Sequence, residues 1–294
     1  MNFLKRIFGK KKSPDESKAD TVPLSPRTLD LQKFTAEDRN IVVGTAQSTG
    51  LERSHNEDAL FVMQGNSAGG KSLPSFGLFV VADGMGGHRA GEVASAISVR
   101  RVAHRITEET ILHLFDGANS ADLPPIQELV RKALEDANDA VVERVPGGGT
   151  TLTAALLLGQ QITIGHVGDS RAYVISENGS KVITRDHSLV ERLRELGQLT
   201  EDEAATHPQR NVLYRAIGQG ANLEVDVSSH PVPSNAFILV CSDGLWGVVP
   251  DSEMQQIVLN SPNPQVACEK LVQAANAAGG PDNITAVLVR FPPS

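Results

Sequence analysis

The sequence predicts an α+β protein built from layered, mainly antiparallel sheets, and three observations carry that prediction. Strand-like runs and helix-like pairs come in blocks instead of alternating one by one, which argues against a doubly wound fold. Three apolar runs end abruptly in aspartate: FVVADG (79–84) at Asp83, ITIGHVGDS (162–170) at Asp169 and FILVCSDG (237–244) at Asp243. No internal repeat is visible, and these aspartates are spread across the whole body, so residues 39–294 read as one domain behind a leader of residues 1–38.

The leader opens with MNFLKRIFGKKK, five basic residues and no acid, with Phe3, Leu4, Ile7 and Phe8 on one face of a short helix. The polar, proline-containing stretch SPDESKADTVPLSPRT that follows reads as a linker. The expectation is a disordered, solubilising segment. At most, residues 1–12 make weak, salt-sensitive contact with an anionic membrane face. The apolar stretch is too short and interrupted for a cleavable signal.

In the body, IVVGTAQS (41–48) and DALFVMQ (58–64) are rich in β-branched and apolar residues and read as strands, with residues 66–75 as a loop. FGLFVVAD (76–83) is the strand that delivers Asp83. The glycines behind it let the backbone turn and approach a ligand closely. From Arg89 to about His113 the pattern is helical and buried on more than one side, and a second helix runs from Pro125 to Val145. Strands follow at GGGTTLTAALLLG (147–159), QITIGHVG (161–168), SRAYVISE (170–177) and KVITRD (181–186), with Asn178-Gly179 as a hairpin turn. Between His187 and Pro208 the capping pairs Ser188/Glu191 and Thr200/Glu203 mark two short helices. ANLEVDVSS (221–229) and FILVCSD (237–243) return to strand, helices span 251–259 and 265–278, and NITAVLVRF (283–291) is the last strand.

Composition excludes several classes. A formal net charge of −8 argues against nucleic acid as a partner. Cys241 and Cys268, the only cysteines, sit in apolar surroundings without CxxC spacing, which points to a reducing, cytoplasmic setting and not to a disulfide framework. No apolar run approaches the ~18–20 residues that span a bilayer.

Two further carboxylates, Asp58 and Asp282, precede strand-like runs. A lone aspartate at a strand end is ordinarily a turn or cap residue, but five on strands of shared sheets would collect near one rim. Bare carboxylates so placed repel, and divalent cations resolve the conflict. With no His or Cys cluster of zinc spacing, the oxygen-only set points to Mg²⁺ or Mn²⁺. Two such cations about 3.5–4 Å apart are a known arrangement for hydrolysing phosphate esters.

The motifs RSHNED (53–58), VVADGMGGHRAGE (80–92), GGTTLTAAL (148–156), GHVGDSR (165–171), LYRAIG (213–218), CSDGLWGV (241–248) and GGPDNITAVLV (279–289) give the body its resemblance to the metal-dependent protein phosphatases of type 2C, especially their bacterial branch. The resemblance implies a β-sandwich flanked by pairs of helices, a four-layer α-β-β-α arrangement. It implies hydrolysis of phosphoserine and phosphothreonine on proteins by a water activated between two metals, without a phosphoenzyme, in opposition to a cognate kinase. By motif position, Asp83 bridges two core ions. Asp58 and the Gly84 carbonyl complete one site, Asp243 and Asp282 the other, and Asp169 serves a weaker third ion. Glu57, metal-binding in some relatives, ranks below Asp58. Arg53 matches the phosphate-binding arginine, and His88, in DGMGGH, is the candidate general acid. The helices between His187 and Pro208 match the family's flap, an insertion near 187–210 that influences substrate choice. His166, His187 and Trp246 read as structural. A monomer is expected. The competing readings are a partner-switching phosphatase of an anti-sigma antagonist, which normally carries a sensor domain, and an inactive binding module, which would lack a metal ligand.

Overall fold

The computed structural model describes residues 41–65, 74–86, 89–115, 125–232 and 235–291. In chain order the strands are β1 (Val42–Ser48), β2 (Ala59–Gly65), β3 (Phe76–Ala82), β4 (Gly84–Met85), β5 (Gly149–Thr150), β6 (Leu152–Leu158), β7 (Gln161–Val167), β8 (Arg171–Ser176), β9 (Gly179–Val182), β10 (Asp226–Pro231), β11 (Phe237–Cys241) and β12 (Ile284–Arg290). The helices are α1 (Arg89–Ile106), α2 (Leu112–Phe115), α3 (Ile126–Arg144), α4 (Leu189–Glu195), α5 (Glu201–Ala205), α6 (Asp243–Trp246), α7 (Asp251–Leu259) and α8 (Pro264–Ala277).

Two five-stranded sheets form, in the orders β1-β12-β11-β8-β9 and β10-β7-β6-β3-β2, and their neighbouring strands are antiparallel throughout. Alternation along each central strand sorts its side chains into two cores. In β3, Phe79 and Val81 face the opposing sheet, while Leu78, Val80 and Ala82 face α1 and α3. In β12, Val287 and Val289 join the core between the sheets, while Ile284, Ala286 and Leu288 pack with residues of α7 and α8. Three apolar layers thus separate four structural ones, the α-β-β-α sandwich. Strands covered on both faces need continuous apolar runs, which is why β3 and β6 are buried at every residue.

The helix ends follow local chemistry. Thr200 and Glu203 form a reciprocal capping box on α5, Ser188 accepts from the Glu191 amide at the start of α4, and Asn263 caps α8 ahead of Pro264. The helix expected from Arg89 to about His113 forms, passing through a π-helical turn at Thr107–Ile111 into α2, and three other local readings are corrected. The β8–β9 hairpin pairs Ser176 with Gly179, so its loop is Glu177-Asn178, one residue earlier than expected. The strand expected over 221–229 begins only at Asp226, because its partner β7 ends where the chain turns off at Gly168. Asp243 opens a short helix, α6, that no periodicity announced. The leader, the boundary at residue 38 and most of the 66–75 loop lie outside the described residues.

Candidate active site

Strand register brings the aspartates together. Ala59 pairs with Ala82, so Asp58, just before β2, adjoins Asp83, just after β3. Cys241 pairs with Ala286, which sets Asp243, at the end of β11, beside Asp282, ahead of β12. Leu152 pairs with Val167, which carries Asp169 to the same end of the sandwich next to Thr151. A cleft of about 420 Å³ opens there, and Asp83, Gly84, Asp169, Asp243 and Asp282 line it together with Arg53, Glu57 and the flap-side residues Asn211, Leu213 and Gln219. Asp58 lies one layer behind the cleft wall, while its neighbour Glu57 faces the opening. His88 lies outside the described residues.

The backbone around these groups is tied down by side chains that sequence reasoning missed. Thr151 Oγ1 accepts from the Asp83 amide at 2.9 Å, and the Asp83 carbonyl accepts from the Thr151 amide and the Thr150 hydroxyl, each at 2.8 Å. Asn283 fastens the Arg53 loop to the start of β12. Its amide group donates to the carbonyls of Thr49 and His55, both at 2.9 Å, and its oxygen accepts from the Glu57 amide at 2.7 Å. Asp58 Oδ2 accepts from Ser242 Oγ at 2.8 Å and Thr285 Oγ1 at 2.6 Å. Asn283 and Thr285 stand in the quoted motif GGPDNITAVLV, Thr150 and Thr151 in GGTTLTAAL and Ser242 in CSDGLWGV, and that was their only signal.

The glycines of the two Asp-Gly pairs also serve packing. A Cβ at Gly244 would collide with the Asn283 carbonyl, and one at Gly84 with the carbonyls of Glu57 and Gly91. The glycines let neighbouring loops close onto the aspartates.

Electrostatics of the cleft are strained. Burial, reinforced by the neighbouring carboxylates, lifts Asp83 and Asp169 well above the usual carboxylate range. Burial also pushes Asp58 up to about 7 and, with Asp282 adding to it, Asp243 up to about 6. Asp83 and Asp243 are hydrogen-bonded to each other, and Arg53 Nη2 pairs with Asp282 Oδ2 at 2.7 Å. Among the described residues no three His, Cys, Asp or Glu groups converge on one point as they stand. Yet Asp58 Oδ1 and Asp243 Oδ1 are buried without a partner. Unpaired anionic oxygens amid mutually repelling carboxylates, all of them hard donors, fit divalent Mn²⁺ or Mg²⁺.

Behind Asp169 the segment that carries α4 and α5 is rooted in a polar cluster. His187 Nδ1 accepts from the Gly168 amide at 3.1 Å, which leaves the proton on Nε2, facing Asp226 Oδ2 at 3.2 Å. Arg215 Nη1 donates to Asp226 Oδ1 at 2.9 Å, and Arg215 also pairs with Glu224. His166 is buried between Thr153 Oγ1 at 2.9 Å and the Arg185 carbonyl at 3.0 Å. Burial, with neighbouring His187, lowers its imidazole to about 3.

With this geometry in view, comparison with known proteins is specific. The family model described as protein phosphatase 2C matches residues 43–284. The serine/threonine phosphatase stp of Listeria welshimeri is 36% identical over 246 residues, covering 82% of this chain and 92% of that protein. The crystal structure of the Mycobacterium tuberculosis serine/threonine phosphatase PstP/Ppp superposes with a TM-score of 0.72 at 31% identity, over 86% of this chain and 99% of that one. A structure of the PstP catalytic domain in complex with two manganese ions superposes with a TM-score of 0.68 at 30% identity, over 86% and 99% of the two chains.

Proposed function

The chain belongs to the protein phosphatase 2C family, and on that premise we propose how its cleft removes phosphate from proteins. It is a metal-dependent serine/threonine protein phosphatase. The observation that carries the proposal is the gathering of five aspartates at one end of the sandwich, two of them with buried, unpaired oxygens.

In this reading Asp83, Asp58 and the Gly84 carbonyl would hold one cation, Asp83, Asp243 and Asp282 a second, and Asp169 a weaker third. Glu57 faces the cleft beside Asp58 and is the alternative donor. When bound, the cations supply Lewis acidity that acidifies a water and neutralises phosphoryl oxygens. Arg53 grips the phosphate, because its fork donates two parallel hydrogen bonds to two oxygens. To do so it exchanges Asp282 for the substrate. His88 donates the proton to the leaving serine or threonine oxygen. No protein nucleophile is assigned. Cys241 is buried and its thiol is pushed up by that burial, so it holds its proton.

The enzyme acts as a cytoplasmic monomer on proteins phosphorylated by a cognate serine/threonine kinase. In support, no helix among the described residues is long and apolar enough to cross a membrane, and the net charge of −8 disfavours anionic polymers. An inactive module is disfavoured because every carboxylate of the set is present.

The test is phosphate release from phosphothreonine and phosphotyrosine peptides with Mn²⁺, with Mg²⁺ and with chelator. Turnover of phosphothreonine with metal and none in chelator is expected. Asp83→Ala or Asp243→Ala should lower it by orders of magnitude while far-ultraviolet circular dichroism is retained. Full activity in chelator, or in either variant, rules the reading out.

A further inference from the structure

Trp246, the single tryptophan of the chain, closes the short helix α6 that Asp243 opens. Its indole Nε1–H donates to the main-chain carbonyl of Asp169 at 3.0 Å. Its ring is gripped by Arg171, whose guanidinium carbon lies 3.5 Å from the ring centroid. Arg171 cannot slide. Asp186 holds it through Nε at 3.1 Å and Nη2 at 2.8 Å, and Nη1 meets the buried Tyr173 hydroxyl at 3.2 Å. Opposite the indole, the Gly168 amide donates to His187 Nδ1 at 3.1 Å, and the His187 amide donates to the Gly168 carbonyl at 2.7 Å. The Ser170 hydroxyl is bonded to Thr151 Oγ1 at 2.7 Å. The Asp169 loop is therefore anchored to β6 and to the flap root, and Trp246 adds a direct bond from it to the element that carries Asp243.

We propose that Trp246 is a positioning residue that transmits the placement of Asp243 to Asp169, so that filling the core cation site presets the weaker third site. The inference rests on the reading of Asp243 and Asp169 as cation ligands given above. Two structural facts make the link stiff. Within α6 the Gly247 amide closes on the Asp243 carbonyl at 2.8 Å, so a shift of Asp243 moves the indole with it. The indole nitrogen is a donor only, and a carbonyl is the acceptor it meets, so the bond has one sense and one direction. Partners behind a ligand that fix its orientation weaken metal affinity when removed.

The test uses the full chain, stripped of metal and titrated with Mn²⁺ by calorimetry, with the fluorescence of Trp246 followed in parallel. Trp246→Phe keeps an aromatic ring under Arg171 and deletes the N–H. We expect its tight binding phase to stay within about twofold of wild type and its weak phase to need about tenfold more Mn²⁺. In the wild type, indole fluorescence changes with the tight phase, as Asp243 takes up its place and moves the indole, and Asp169→Ala abolishes the weak phase. Arg171→Lys, which keeps Trp246 but loosens its grip, shifts the weak phase in the same direction and carries the test should Trp246→Phe fail to fold. An unshifted weak phase in folded Trp246→Phe overturns the coupling while leaving the ligand assignment intact. Equal loss of both phases in that variant also overturns it, since Trp246 would then support the whole centre. A weak phase that survives Asp169→Ala overturns the ligand assignment, and the coupling with it.

Discussion

Thr285 and Ser242 show how much a site can depend on residues with no chemistry of their own. Both hydroxyls donate to one oxygen of Asp58, and the Ser242 hydroxyl also accepts from the Thr285 amide at 2.9 Å. Thr285→Val preserves shape and deletes a donor to a buried carboxyl, so we expect a loss of about 1–3 kcal/mol in denaturant unfolding of the metal-free protein. Arg53 makes a different kind of contact, charged and partly exposed. Arg53→Ala should raise KM and lower kcat, reducing kcat/KM about ten- to a hundredfold on both p-nitrophenyl phosphate and a phosphothreonine peptide. Arg53→Lys should recover only part of that, because an ammonium lacks the planar fork. A general acid behaves otherwise. His88→Ala should spare the aryl phosphate, whose leaving group needs little protonation, and damage the peptide through kcat. Asp83, Asp169 and Asp243 were legible in the sequence because apolar runs stop dead at each of them, and Asp58 and Asp282 because they stand just ahead of strand-like runs. The hydroxyls were not, since serine and threonine occur anywhere, and the partners of Asp58 come from the far end of the chain.

Among the elements, α8 and β1 meet with little tolerance. A Cβ at Gly44 would fall inside the backbone of Pro264 and Gln265, where neither a rotamer change nor a side-chain shift relieves it. Gly44→Ala should therefore cost about 3 kcal/mol in unfolding free energy, measured by chemical denaturation, with the helix displaced from the sheet. Long elements were readable because period and length agree: α7 spans Asp251–Leu259, the range its sequence suggested. Elements defined by their partners were not. Residues 221–225 carry a strand-like pattern, but β10 starts at Asp226 because the opposing chain has already turned away. A four-residue helix such as α6 has too few residues to show a period at all. Likewise, the exposed pair Arg185–Glu195 that ties the flap root to α4 left no trace in the pattern.

For the molecule as a whole, acid is the telling perturbant. The imidazole of His166 is held near 3 by burial, whereas a free one titrates near about 6.5. Between those values the unfolded chain binds a proton that the folded chain refuses, so the contribution of neutral His166 to stability is full above about pH 6.5 and is lost as pH falls toward 3, while the aspartates held protonated above the usual range act in the opposite sense. Unfolding followed in denaturant at a series of pH values isolates the histidine as the gap between wild type and the less stable His166→Gln, which should narrow as pH falls from about 6.5 toward 3. The layered architecture was legible from blocks of strands and helices, whereas the strand order was not, because nothing local says which strands become neighbours. That order has a bearing on synthesis. β12, last of the strands, is sandwiched between β1, the first, and β11, and it carries Asp282 and Asn283 at its mouth. A nascent chain has displayed Asp58, Asp83 and Asp169 long before the strand that closes the first sheet emerges, and domains complete their fold as units. The first sheet is therefore complete only when β12 slots between its neighbours, and a polypeptide terminated ahead of it lacks both Asp282 and the strand that joins β1 to β11.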